Sequence, residues 1–180
     1  MSVLAIDTAS RRRIVCVKAS EDGAVLESAE GEGQAVAAVL PPAIARFCDA
    51  GVSAVVVVRG PGSYTGLRAG IAAAVGVAVA RSLPLHGIGS LDVVVAGSAA
   101  DFAVRDAGRG WVYAAGPSGG TAVRTTLAAL PVGAAAVTVD AVLAPPCTLV
   151  DHVMSLAAAV PVALGTPSLS PDGISAVLVT

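Results

Sequence analysis

The chain has 180 residues, 55% of them hydrophobic and 13% charged, with five aromatic side chains (Phe47, Tyr64, Phe102, Trp111, Tyr113). Eleven Lys and Arg against thirteen Asp and Glu give a net charge of −2. That balance argues against a nucleic-acid binder acting alone, because no cation excess exists to release counterions and few rings exist to stack bases; low charge with high aliphatic content argues against disorder. A mean hydropathy of +0.80 suggests a membrane protein, but a spanning helix needs about 20 consecutive apolar residues. The most apolar run, 69–80, is fenced by Arg68 and Arg81, and the stretches after Arg124 and Asp151 are cut by Pro131 and Pro161. No basic leader precedes the first apolar residues, so no secretory signal is expected. Cys16, Cys48 and Cys147 form no CxxC and suit a reducing, cytoplasmic setting.

In chain order, apolar runs at 3–6, 14–17 and 24–26 read as three strands. They are joined by the Arg11-Arg12-Arg13 turn and by Asp22-Gly23, a strong hairpin signal. From residue 34 the spacing of Val36, Val39, Leu40, Ile44 and Phe47 is helical, with Pro41-Pro42 predicting a kink or split. An unbroken apolar strand at 54–58 is the kind buried on both faces of a parallel sheet. A Gly-Pro-Gly-Ser loop follows, then a helix over 65–81, a strand over 83–88 and a helix over 90–98. The first half therefore runs βββ-α-β-α-β. The second half offers strands at 103–105, 112–115, 122–127 and 136–142, with a Gly116–Gly120 turn, then a helix over 148–160. Val177-Leu178-Val179 suits an edge strand. No repeat is evident, and a division into lobes falls near residue 90, giving 1–90 and 91–180.

Chemistry concentrates between the 54–58 strand and the following helix. Gly60, Gly62, Ser63, Thr65 and Gly66 form a Gly-rich turn at a helix N-terminus, where backbone N–H groups can receive an anion. The turn is neither a Walker A loop nor a complete dinucleotide fingerprint. Arg68 lies near the positive end of that helix and needs an anionic partner, within the chain or outside it. The helix carries a stripe of small side chains (Gly66, Gly70, Ala73, Ala74, Val77, Ala80), which serves either tight internal packing or a partner helix. Gly70 and Gly76 need a reason, since each costs about 1 kcal/mol relative to Ala. Asp7, at the carboxyl end of the first strand, suits a phosphate, a metal or a turn cap. The two histidines, His86 and His152, form no HxxxH or HExxH, so no metal site built on His or Cys is expected. Asp151 and His152 read as an exposed helix pair. No G-x-S-x-G elbow is present.

The stretch Gly60-Pro61-Gly62-Ser63-Tyr64-Thr65-Gly66-Leu67-Arg68, with Leu4-Ala5-Ile6-Asp7-Thr8-Ala9 at the amino end, resembles the TsaB (YeaZ) family. Its members carry G-P-G-S-[FY]-T-G-[LV]-R there, matched at every position. A weaker similarity runs from Asp106 to Tyr113, where Gly108 and Trp111 replace the family's Arg and Glu, and a strand ending at Gly165-Thr166 fits a family turn. The family's Glu-His-Ser/Thr-like stretch is Gly31-Glu32-Gly33-Gln34 here, and its P-x-Y-x-R-like ending is missing.

The resemblance implies an actin-like ATPase (ASKHA) fold, two lobes of the ribonuclease H type, the second shortened. It implies a non-catalytic scaffold or dimerisation subunit in threonylcarbamoylation of tRNA adenosine, cytoplasmic and without a cofactor of its own. The partners it implies are the metal-carrying catalytic paralogue TsaD and an ATPase, TsaE; a homodimer is a further form, and tRNA is reached through the complex. Contact through helices of the first lobe would use Gly66, Arg68, Gly70, Ala73, Ala74 and Val77. The alternative is a nucleotide-binding or hydrolysing enzyme using Asp7, Gly60, Gly62, Ser63 and Thr65. A peptidase reading finds no residue support.

Overall fold

The computed structural model describes residues 1–33, 35–96, 98–116, 119–143 and 147–169. The Val177–Val179 strand and the Pro117-Ser118 part of the expected turn lie outside them. The first strand, β1 (Ser2–Asp7), is buried throughout, as a continuous apolar run in mid-sheet should be. It pairs antiparallel with β2 (Arg13–Ser20), which pairs antiparallel with β3 (Val25–Glu32). Gly23 makes the connecting turn at φ +93°, a conformation that favours glycine. Burial along β3 alternates residue by residue, the signature of an edge strand with one face to solvent. On the other side of β1, β4 (Val52–Gly60) and β5 (Leu85–Gly89) run parallel to it, giving the order β3-β2-β1-β4-β5.

Parallel strands need crossovers, and two helices supply them. Helix α1 (Val36–Phe47) contains both Pro41 and Pro42 and is not split. The two prolines are exposed, while Leu40, Ala43 and Phe47 hold the opposite side of the helix on the sheet. Helix α2 (Tyr64–Arg81) is capped by Ser63, whose hydroxyl accepts the Gly66 N–H, and closes at Ser82 in the left-handed conformation. Both helices cover one sheet face around Leu4, Ile6, Val55 and Val57.

Helix α3 (Ser90–Val95) leads to a second sheet. Strands β6 (Phe102–Gly108), β7 (Trp111–Gly116) and β8 (Gly119–Thr125) form an antiparallel meander. Strands β9 (Ala136–Thr138) and β10 (Thr148–Leu149) add parallel to β6, giving β10-β9-β6-β7-β8. Read from its other edge, this is the pairing scheme of the first sheet, so the two lobes repeat one topology that no sequence repeat announces. The second copy is abbreviated. Short 3-10 turns at Leu127–Ala129 and Ala141–Leu143 stand where α1 and α2 stand in the first lobe, and β9 and β10 are three and two residues long.

Two expectations for the C-terminal region need correction. The helix expected over 148–160 begins later, as α4 (His152–Ala158), because Thr148 and Leu149 pair with β9. The segment expected as a strand before Gly165 is helix α5 (Val160–Leu164). Both helices return to the first sheet: Val153, Leu156, Ala157, Val160 and Ala163 share a core with Val3, Val15, Val17 and Val56. The first sheet takes its last strand at Leu85–Gly89 and the second its first at Phe102–Gly108, while packing assigns 152–164 to the first.

Candidate functional site

The ends of β1 and β6 bring charged side chains together in the interior. Asp7 is fully buried. Its Oδ1 accepts the Ala9 N–H at 2.7 Å, and its Oδ2 accepts from Arg105 Nη1 at 3.1 Å and from His152 Nε2 at 2.7 Å. Arg105, on β6 and 1% exposed, also donates Nε to Asp140 Oδ2 at 3.2 Å. Asp140 accepts the Asp106 N–H at 2.9 Å and the Ser10 hydroxyl at 2.9 Å, and its own N–H donates to Thr138 Oγ1. One guanidinium therefore sits between two carboxylates, one from each lobe.

Burial alone raises a carboxyl's pKa, but here Arg105 and His152 outweigh it and hold Asp7 well below the usual carboxylate range. Burial likewise works against the Arg105 charge, and Asp7 and Asp140 overcome it, raising its pKa further. Among the described residues, Thr8 Oγ1, Arg105 Nη2 and His152 Nδ1 are buried polar atoms without a partner.

His152 corrects the expectation of an exposed pair with Asp151. It is fully buried, and Asp151 instead caps α4 by accepting the Met154 N–H at 2.9 Å. Nothing local marks this, because Asp7 and His152 lie 145 positions apart. Arg105 and Asp140 also escaped the sequence reading. Asp140 offered a signal, as the lone charge in the apolar stretch 132–143, which a buried partner would explain; Arg105 stands beside Asp106 and offered none.

The Gly-rich turn packs against the segment after β1. Ser63 N–H donates to Ala9 O at 2.8 Å. A Cβ on Gly62 would meet Ala9 O at 2.4 Å, one on Gly66 would meet Thr8 O at 2.2 Å, and one on Gly70 would meet Thr8 Oγ1 at 2.1 Å. Only glycine allows so close an approach, so these residues serve the joint between α2 and β1. Gly60 adopts φ +116° beside Gly89, Ser90 Oγ donates to Pro61 O, and Thr65 is exposed. The structure does not gather Asp7 and this turn into an open anion site: both Asp7 oxygens are engaged by Ala9, Arg105 and His152.

The small-residue stripe divides in two, and Gly76, outside the stripe, joins its outer part. Gly66, Gly70 and Ala74 are buried toward the sheet. Ala73, Gly76, Val77 and Ala80 line an apolar groove of about 500 Å³ against Leu40, Pro41 and Ile44 of α1. A Cβ at Gly76 would meet nothing within 4 Å. Arg68 is exposed, donates to Tyr64 Oη at 3.4 Å and lies 5.3 Å from that ring's centre; no carboxylate among the described residues pairs with it.

Among the described residues, no three His, Cys, Asp or Glu side chains approach closely enough to hold a metal. The nearest arrangement, Asp7 with His152, has the Arg105 cation as its third member, which opposes a metal ion. No helix among the described residues is long and apolar enough to cross a membrane. Cys16 lies in the core, where burial pushes its thiol up to about 12, an inert state.

Comparison with known proteins bears on this geometry. The family model described as TsaD: tRNA N6-adenosine threonylcarbamoyltransferase matches residues 43–159, more than half of the chain. Uncharacterized proteins of Mycobacterium tuberculosis and Mycobacterium bovis are 38% identical over 120 residues, 62% of this chain and 57% of theirs, so the match spans little more than half their length. Among solved structures, YeaZ from Pseudomonas aeruginosa superposes with a TM-score of 0.64 at 17% identity, over 91% of this chain and 92% of that one. A second, described as an uncharacterized protein with similarity to peptidase YEAZ from Pseudomonas aeruginosa, gives 0.54 at 18% identity over 76% and 74%. At such identities the likeness is one of fold. With the family match, it makes the two repeated lobes an actin-like ATPase architecture.

Proposed function

This chain belongs to the family described as TsaD: tRNA N6-adenosine threonylcarbamoyltransferase, and from that premise we propose that it is of the YeaZ (TsaB) type, a non-catalytic subunit which binds and supports a TsaD-like transferase. The observation that carries this reading is the α1–α2 groove. Its lining is mostly apolar, and Gly76 stands in mid-helix with open space above it, although nothing among the described residues requires a glycine there. A glycine that destabilises its helix by about 1 kcal/mol and serves no internal contact is explained by a neighbour that must come close.

Of the stripe, Ala73 and Val77 are the contact residues in this reading, with Arg68 at the upper end. Gly66, Gly70 and Ala74 act indirectly, by seating α2 on β1. The catalytic partner supplies the metal and the transfer chemistry, a TsaE-like ATPase joins the pair, and the setting is cytoplasmic. The buried Asp7–Arg105–Asp140 cluster sets the angle between lobes rather than performing a reaction.

The test mixes the full chain with its cognate TsaD-type transferase and reads association and threonylcarbamoyl transfer to tRNA. Expected are no transfer by the chain alone, stimulation on mixing, and a roughly tenfold weaker association for Gly76→Leu with the fold intact. No association, or an unchanged Kd for Gly76→Leu, would sink the reading. Self-association through the same groove would appear as a dimer that the transferase dissolves.

A further inference from the structure

We infer that the face where the β1–β2 turn meets the β6–β7 hairpin is a contact surface for single-stranded RNA. Arg11 and Arg12 are exposed in the turn and, with Glu32, line a surface groove of about 410 Å³. Across it, Gly108 opens the β6–β7 hairpin, and the Arg11 guanidinium lies 3.0 Å from where a Gly108 Cβ would stand. Arg109 forms the hairpin tip at φ +57°, and Trp111 pairs with Gly108 across it. On β8, the Arg124 guanidinium lies 4.7 Å from the centre of the Trp111 ring. These residues lead from one lobe to the other: two cations on the turn, a third at the hairpin tip, then an exposed indole with a fourth over its ring.

Two properties point to RNA. Among the described residues Arg11, Arg12, Arg109 and Arg124 enter no salt bridge; Arg59, Arg68 and Arg81 enter none either, so what sets these four apart is their placement on the β1–β2 turn, the β6–β7 hairpin and the neighbouring β8. Four guanidinium groups without a salt bridge, Glu32 being the acid that lines the groove beside Arg11 and Arg12, fit a run of phosphates. The indole adds what phosphates alone do not ask for. Trp111, the chain's single tryptophan, is 41% exposed and carries the exposed Arg124 guanidinium over its ring; such an indole and guanidinium together are surfaces on which an unstacked base can lie. An acidic protein segment would use the cations and leave the ring unexplained. The net charge of −2 is no obstacle, since the surplus is local; it predicts weak, salt-sensitive binding by the chain alone, strengthened within a complex. That the RNA is tRNA rests on the function proposed above; the surface itself does not.

The experiment measures binding of the full chain to a fluorescently labelled, unstructured single-stranded RNA by anisotropy across a salt series. Poly-glutamate of equal length is the comparison. Trp111→Ala should weaken RNA binding about tenfold, the low to middle range for loss of one base stack, and Trp111→Phe should restore part of it. The double variant Arg11→Ala/Arg12→Ala removes two exposed side chains without touching the core, and should reduce the slope of log K against log salt by about 1.4. RNA binding that neither variant alters overturns the inference. So does poly-glutamate binding as tightly as RNA and indifferent to Trp111, which would assign the surface to an acidic protein. Association with the transferase, measured separately, should not change in these variants, so failure here and failure of the scaffold reading are told apart.

Discussion

Arg105 lies between Asp7 and Asp140, and removing it leaves two buried carboxylates facing each other. Breaking a buried pair by deleting one partner costs about 3–5 kcal/mol, because the remaining charge keeps its desolvation penalty. Arg105→Ala should lose that much in urea unfolding at neutral pH; a loss under about 1 kcal/mol would mean that water or a rearranged neighbour already compensates the acids. Asp7 also makes stability depend on acid. Its folded pKa lies below the ordinary 3.8, so above that value the carboxylate is ionised in both states and its stabilisation is fully present. Below it the unfolded chain binds the proton first, and the stabilisation is lost as pH falls toward the folded value. Asp7→Asn should therefore be less stable near neutrality and show a flatter acid limb in its urea midpoint. An acid limb as steep as that of the unmodified chain would place the titrating group elsewhere.

At the scale of the element, α2 has two faces with opposite demands. Gly70 is required inside: a Cβ would fall 2.1 Å from Thr8 Oγ1, so Gly70→Ala should push helix and strand apart and cost about 1–3 kcal/mol. Gly76 is free outside, and Gly76→Ala should stabilise the isolated chain by about 0.5–1 kcal/mol through helix propensity alone. Thermal melts of the two variants should move in opposite directions. If Gly76→Ala also destabilised the chain, an internal contact would have to exist where open space is found. Six positions separate them, about 240° around the helix, so periodicity puts them on different faces without saying which face is inside. The difference arises from which side of α2 meets β1.

At the scale of the whole molecule, the return of α4 and α5 to the first sheet and the ion cluster between β1 and β6 tie the lobes together. Trp111 belongs to the second sheet, so its fluorescence reports that lobe, while far-UV circular dichroism is weighted toward the helices of the first. The two signals should give coincident urea transitions, as a single cooperative unit does. A fluorescence transition at clearly lower urea would show the abbreviated lobe unfolding by itself. The abbreviation makes this a meaningful test, because 3-10 turns cover the second sheet where full helices cover the first.

The sequence alone determined the order of elements through residue 95, the burial of β4 on both faces, and the family. These follow from local information: continuous apolar runs, helical spacing, a hairpin dipeptide and nine consecutive residues from Gly60 to Arg68. It also showed that certain residues needed explaining, such as Arg68, Gly70 and Gly76, without saying what explained them. Tertiary structure alone decided that Asp7 meets Arg105 and His152, that the first glycines of α2 face Thr8 while Gly76 faces outward, and that the last helices belong with the first sheet. It also revealed one topology used twice, with the crossover helices kept only the first time. The physical reason is that hydrogen-bond pairing and helix periodicity are written over a few neighbouring residues, whereas a buried charge is stable only beside a partner, and the partners here lie 35 to 145 positions away.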